Sequence, residues 1–182
     1  MSRTSWILIA AVGLVLPLAN GAGAQERSPG AGPVLVVETV KGTIEIETYP
    51  NEAPRTVEHI VALARRNFYR GLRVHRVVPG FVVQFGDPQT RDMTRRDRWG
   101  SMGSGRQIGV AEVSPRRTHR LGAVAAAHPG DPRQADSQMY IALAPQPGLD
   151  GKFTVFGQVI SGLDVARTLV ATDIIRNITV KP

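Results

Sequence analysis

Apolar residues recur along this chain in short runs punctuated by turn residues, a spacing that predicts many strands and few helices. Val34 to Val40 is a mostly apolar run, and from Thr43 to Tyr49 the residues Ile44, Ile46 and Thr48 alternate with Glu45, Glu47 and Tyr49. Lys41-Gly42 between them has the length of a two-residue hairpin connection, with glycine free to take a positive φ. Val57, Ile60, Val61 and Ala64 then recur at helical spacing, which predicts a helix from about Pro54 to Phe68 with proline in its first turn. Strands are expected at Leu72–Val78, Phe81–Phe85, about Ile108–Val113, Leu121–Ala127, Met139–Ala144 and Val155–Ile160. A second helix over Leu163–Val170 and a closing strand over Ile174–Val180 complete the pattern. Short strands in series, with no sustained alternation of strand and helix, predict a mainly β fold: a closed eight-stranded antiparallel barrel capped by two helices. The segment Pro88 to Gln107 is long for a structureless connection, and such loops tend to border sites.

The first residues follow another rule. Arg3 precedes an uncharged apolar run from Trp6 to Leu18, and Ala22-Gly23-Ala24 supplies the small-residue pattern that a signal peptidase cleaves. The run is shorter than the roughly 20 residues that span a bilayer, so cleavage after Ala24 is preferred to an uncleaved anchor. The expected organisation is a signal peptide over 1–24, a flexible tether over 25–33 and one domain over 34–182, placed in the periplasm or secreted.

Composition narrows the chemistry. Cysteine is absent, which excludes disulfides, thiol catalysis and thiolate metal sites. Nineteen glycines and thirteen prolines fit a turn-rich β architecture. Loss of Arg3 takes the net charge from +7 to +6, with 21 basic against 15 acidic residues. Between Arg91 and Arg120 eight arginines face three acidic residues. Such a stretch could rest on an anionic envelope surface. A solvated loop surface is the preferred reading, and no nucleic-acid partner is expected of an exported protein. Gly100 to Gly105 lacks the Lys-Ser/Thr pair of a phosphate loop, and no Gly-x-Ser-x-Gly elbow occurs. The histidines His59, His75, His119 and His128 show no metal-type spacing, so neither metal nor cofactor is expected.

What remains is a cation among apolar residues. On an extended Leu72–Val78 strand, Leu72, Val74, Arg76 and Val78 share one face, an expensive place for arginine unless it is paired or working. A salt bridge at a barrel rim is the plain alternative. Pro79-Gly80 turns the chain, after which Phe81, Val83 and Phe85 are expected on one side and Val82 and Gln84 on the other. Gln84 is then near enough to pair with Arg76 across the hairpin.

At this point three ordered blocks resemble the cyclophilins. His75-Arg76, Pro79-Gly80-Phe81, Gln84 and Gly86-Asp87 are similar to the family's Phe-His-Arg, Pro-Gly-Phe and Gln-Gly-Gly-Asp. Ser137-Gln138-Met139-Tyr140-Ile141 resembles its Ser-Gln-Phe-Phe-Ile, and Leu149 to Gly157 resembles its Leu-Asp-Gly-Lys-His-Val-Val-Phe-Gly. The resemblance extends over about Val34 to Val180. It implies peptidyl-prolyl cis/trans isomerase activity on proline-containing polypeptides by a monomer, with Arg76 as the catalytic residue. It further implies that Phe81, Val82, Tyr140 and Leu149 wall a proline pocket and that Gln84 and Gln138 orient the substrate backbone. Ala127 and His128 would mark the edge along which the peptide lies, and Phe153 would stand where many members have histidine. Gly148 stands in place of the family's usual tryptophan, Phe85 in place of a usual glycine, and His128 in place of an asparagine. A non-catalytic peptide-binding chaperone using the same cleft is the competing function.

Overall fold

The structure, a computed structural model, describes residues 27–182, so the expected signal peptide and its cleavage site lie outside the described residues. Eight strands form one antiparallel sheet: β1 (Val34–Thr39), β2 (Gly42–Thr48), β3 (Arg76–Val78), β4 (Val82–Phe85), β5 (Ala123–Ala126), β6 (Met139–Ala142), β7 (Val155–Ser161) and β8 (Ile175–Lys181). Their order across the sheet is β3-β4-β6-β5-β7-β2-β1-β8. Helix α1 (Pro54–Arg65) and the short α2 (Leu163–Thr168) pack against it.

Period-two alternation gives the sheet two unlike apolar faces. Val83 and Phe85 on β4, Val124 and Ala126 on β5, and Met139 and Ile141 on β6 point inward to the main core, with Leu35, Ile46, Phe156 and Ile178. The intervening residues Val82, Ala123, Ala125, Tyr140 and Ala142 form a second cluster on the outer face, with Val155 of β7. The expected stripe of α1, Val57, Ile60, Val61 and Ala64, is buried against the main core.

Several expectations are corrected. The sheet curls into a half-barrel and is not closed, because β3 and β8 share no ladder; the isolated bridge Arg73–Ile174 lies just outside both strands. The reason lies in the run expected as one strand from Leu72. The Val74 N–H donates to Asp173 and its carbonyl accepts from Thr172, whereas the His75 N–H donates to the Gln84 carbonyl. The chain changes partner between these two residues, and the alternation slips: Leu72 and Val74 are buried, Arg76 and Val78 are exposed, and Val77 packs on the core. Arg76 is therefore not a buried cation. No strand forms over Ile108–Val113; Ile108 and Gly109 donate to Ala135 and Arg133, and Glu112 accepts the Arg55 and Thr56 amides that open α1. Helix α1 stops three residues early because Asn67 turns left-handed, at φ 56°. The β1–β2 connection is Val40-Lys41, one residue earlier than expected, with Gly42 beginning β2 at φ 140°. Residues 27–33 are tied to β2: the Ser28 amide donates to Glu47 at 2.7 Å, and Gly32 donates to the Thr48 carbonyl at 2.8 Å.

Candidate active site

The outer cluster is where the sequence-derived site residues gather. Phe81, Ala127, Leu149 and Phe153 are partly buried against Val82 and Tyr140. Phe81 departs from its expected side. It precedes the regular part of β4, in the turn closed by its own N–H to the Val78 carbonyl, and so joins Val82 on the outer face. Alanines at 123 and 125 leave the floor shallow, and Tyr140, directly opposite Ala125 in the ladder, lies across it. Phe153 meets Tyr140 edge-on, with ring centroids 5.6 Å apart and an interplanar angle of 85°. His128 covers the far side of Phe153 at 4.3 Å between centroids, and its Nε2 lies 3.0 Å from the Lys152 carbonyl.

Arg76 stands at the rim. Its exposed guanidinium lies 5.6 Å from the Phe81 ring centroid, within cation–π range. Its Nη1 donates to Gln84 Oε1 at 3.5 Å, a long bond set by the register that pairs residue 76 with residue 84. Gln84 Nε2 donates to Gln138 Oε1 at 2.9 Å, and Gln138 Nε2 donates to the carbonyls of Gly100 and Met102 at 2.9 and 2.8 Å. Each amide has one donor end and one acceptor end, so the chain has a single consistent direction from cation to loop.

The loop itself is set by Asp87. Its carboxylate is fully buried and accepts the amides of Gln89, Gly100 and Met102 at 2.7, 2.6 and 3.2 Å. Gly86, at φ 114°, lies so close to the Ser137 backbone that any Cβ would collide with it. Asp136 holds the next part of the loop through Gly105 and Arg106 and meets His59 Nε2 at 3.0 Å. Between this loop and the strand edge runs a groove of about 740 Å³, lined by Gln84, Met102, Ala127, His128, Gln134 and Gln138. The apolar cup and the groove therefore meet at Gln84 and Gln138. Burial holds the His75 imidazole below its ordinary range; Asp87 opposes this and Arg76 reinforces it. A neutral ring there adds no second charge next to Arg76.

Sequence reasoning did not single out Asp87, Asp136, His119 or Asp150. Asp87 and Asp150 sit inside the blocks that carried the resemblance, which was the available signal; His119 and Asp136 had none, since their partners are distant in sequence.

The comparisons with known proteins identify the family. The family model described as cyclophilin type peptidyl-prolyl cis-trans isomerase/CLD matches residues 34–181. Peptidyl-prolyl cis-trans isomerase B of Bacillus subtilis is 40% identical over 138 residues, covering 76% of this chain and 90% of that protein. Peptidyl-prolyl cis-trans isomerase CYP18-2 of Arabidopsis thaliana is 36% identical over 149 residues, covering 81% of this chain and 87% of that one. A crystal structure of a cyclophilin type isomerase from Cryptosporidium parvum superposes with a TM-score of 0.72 at 23% identity, over 84% of this chain and 98% of its own, and so matches the fold. With the family model spanning nearly the whole described domain, the chain belongs to the cyclophilin family of peptidyl-prolyl cis-trans isomerases.

Proposed function

We propose that this isomerase acts outside the cytoplasm on proline-containing polypeptides and that Arg76 is its catalytic residue. The observation that carries the reading is a guanidinium bonded to Gln84 at the rim of a cluster of apolar side chains. Rotation about an Xaa-Pro bond is slow because resonance opposes twisting, with a barrier of about 18–20 kcal/mol. Twisting confines the lone pair to the prolyl nitrogen. A fixed cation beside that nitrogen favours the twisted state over both planar ones, so binding is strongest where the barrier lies. Phe81, Val82, Tyr140 and Leu149 would hold the ring, with Phe153 at the cup's edge. The peptide would continue along Ala127 and His128 into the groove beside Gln138. One of the similar structures was determined in the presence of the dipeptide Ala-Pro, which agrees with this class of ligand. A chaperone that merely held peptides would have no use for a cation at this place.

Export rests on the Trp6–Leu18 apolar run followed by Ala22-Gly23-Ala24. The contact of the Arg91–Arg120 stretch with an anionic surface is the weaker reading, because several of these arginines are engaged locally. Arg91 binds the Phe68 and Arg70 carbonyls, Arg117 pairs with Glu52 at 2.9 Å, and Arg120 donates to Gln158 at 3.1 Å. Residues 25–182 should accelerate isomerisation of an Ala-Pro peptide in a protease-coupled assay; a folded protein without any acceleration would leave the chaperone reading standing. Material recovered from the medium or periplasm should begin at Gln25, and N-terminal sequencing that found Met1 would overturn export by cleavage.

A further inference from the structure

Tyr140 places a hydroxyl at the end of an aromatic ring in an apolar floor, where an unpaired polar group is costly. The structure supplies its partner. Tyr140 Oη lies 2.9 Å from Nε2 of His119, whose side chain is completely buried. The two rings are nearly parallel, 14° apart with centroids at 5.9 Å, and Phe153 meets the His119 ring edge-on at 6.3 Å. On its other side His119 Nδ1 lies 2.8 Å from Asp150 Oδ1, and the same oxygen accepts the His119 backbone N–H at 2.7 Å. The His119 carbonyl in turn accepts the Gln146 N–H at 2.7 Å. One histidine thus ties β6, which carries Tyr140, to residues 146–150, which carry Leu149.

The direction of the bonds follows from their chemistry. A carboxylate only accepts, so Nδ1 carries a proton towards Asp150. In the neutral ring Nε2 is then a lone pair, and the tyrosine hydroxyl donates to it. Those N–H donors, the backbone one first and the ring one next, hold the Asp150 carboxyl below its usual range, which keeps it an acceptor. The tyrosine hydroxyl and both ring nitrogens of His119 are accounted for, and the tyrosine ring is pinned at its far end as well as at its root. A phenylalanine here would be held by packing alone.

We propose that His119 is a positioning residue for the proline pocket: it fixes the Tyr140 ring and, through Asp150 and Gln146, the Leu149 segment, so that both walls stand in place before a substrate arrives. The inference rests on the isomerase reading of this cleft and adds to it a residue that touches no substrate. A preset pocket acts on planar and twisted proline alike, so its loss is felt in binding and not in the twisting step.

The two effects separate by NMR exchange on an Ala-Pro peptide, which gives the dissociation constant and the on-enzyme interconversion rate independently. His119→Asn keeps a donor for Asp150 but no longer reaches Tyr140; Tyr140→Phe removes only the hydroxyl. Each should raise the dissociation constant by about fivefold to twentyfold, which lies within the span of coupling between residues in one network. The double variant should be no worse than the poorer single one, while the on-enzyme rate changes by less than about threefold in His119→Asn. Additive losses in the double variant, unchanged affinity in both singles, or a loss confined to the on-enzyme rate would overturn the proposal. Should His119→Asn fail to fold by circular dichroism, Tyr140→Phe paired with Asp150→Asn poses the same question. Failure of the isomerase reading itself would look different: wild-type protein would bind the peptide and leave its exchange rate unchanged.

Discussion

Arg76 owes its place to register. Pairing with Gln84 across β3 and β4 brings the guanidinium to the amide that holds it, and the Phe81 ring lies alongside. Removal of one well-placed electrostatic donor from a site typically costs about 10²–10³ in rate. Arg76→Ala should therefore lower kcat/KM by that order while weakening peptide affinity far less. Arg76→Lys should recover little, because a point charge cannot reproduce the planar fork. Phe81→Ala is the contrast: it opens the cup wall, so rate and affinity should fall together. A folded Arg76→Ala with near-wild-type turnover would remove the arginine from the mechanism. The neighbouring residue gives a prediction about pH. The folded protein resists protonating His75, whereas the unfolded chain takes up that proton near pH 6.5. Below about pH 6.5 the unfolded state then binds more protons, so stability is lost as the pH falls and is fully present above it. Tm should drop between pH 7.5 and pH 5.5, and His75→Gln should flatten that part of the profile; parallel profiles for the two proteins would exclude His75 as the cause.

Among the elements, the turn after β4 does most to shape the groove. Asp87 gathers three amides, two of them from Gly100 and Met102, and those same residues offer their carbonyls to Gln138. In Asp87→Asn an amide flipped either way presents N–H to N–H on one side. The loss should be about 2–3 kcal/mol of stability, as for other hydrogen bonds to buried charges. Denaturant melts should show it, with faster amide exchange at Gly100 and Met102. Unchanged stability would mean the loop is held by something else. The strands and helices were largely legible from the chain because both faces of β4, β5 and β6 are apolar, and such runs announce themselves. Their ends were less so. Nothing in Leu72 to Val78 reveals that Val74 pairs with one neighbour and His75 with another, because that depends on where Asp173 lies. Ile108 to Val113 has the composition of a strand, yet its Glu112 is spent on capping α1. The cup residues were named through motif resemblance, while the reading of Arg76 as a buried misfit rested on an alternation the chain does not keep. Of the Tyr140–His119–Asp150 series, His119 left no local mark, because its partners come from two other segments.

At the scale of the molecule, the domain is one curled sheet with the main core inside and a second apolar cluster outside. Within the basic stretch Arg117 is offset by Glu52, whereas Arg91 and Arg120 keep their charge while bonded to neutral acceptors that fix where their guanidinium groups lie. Gly148, exposed on the Pro147–Leu149 turn, leaves the approach to Leu149 without a bulky side chain. The ladder between β1 and β8 has a further consequence. Val34 lies directly opposite Lys181, so the first strand starts where the last one stops, and the two positions are neighbours in space. A short glycine-serine link could join them, and the chain could be reopened between exposed Lys41 and Gly42, where the Val40-Lys41 turn meets the start of β2, without severing a strand. Such a circular permutant, running from Gly42 round to Lys41, should fold and turn over substrate like the parent. Order of synthesis is then irrelevant to this architecture: what specifies it is which strands lie side by side, not which leaves the ribosome first.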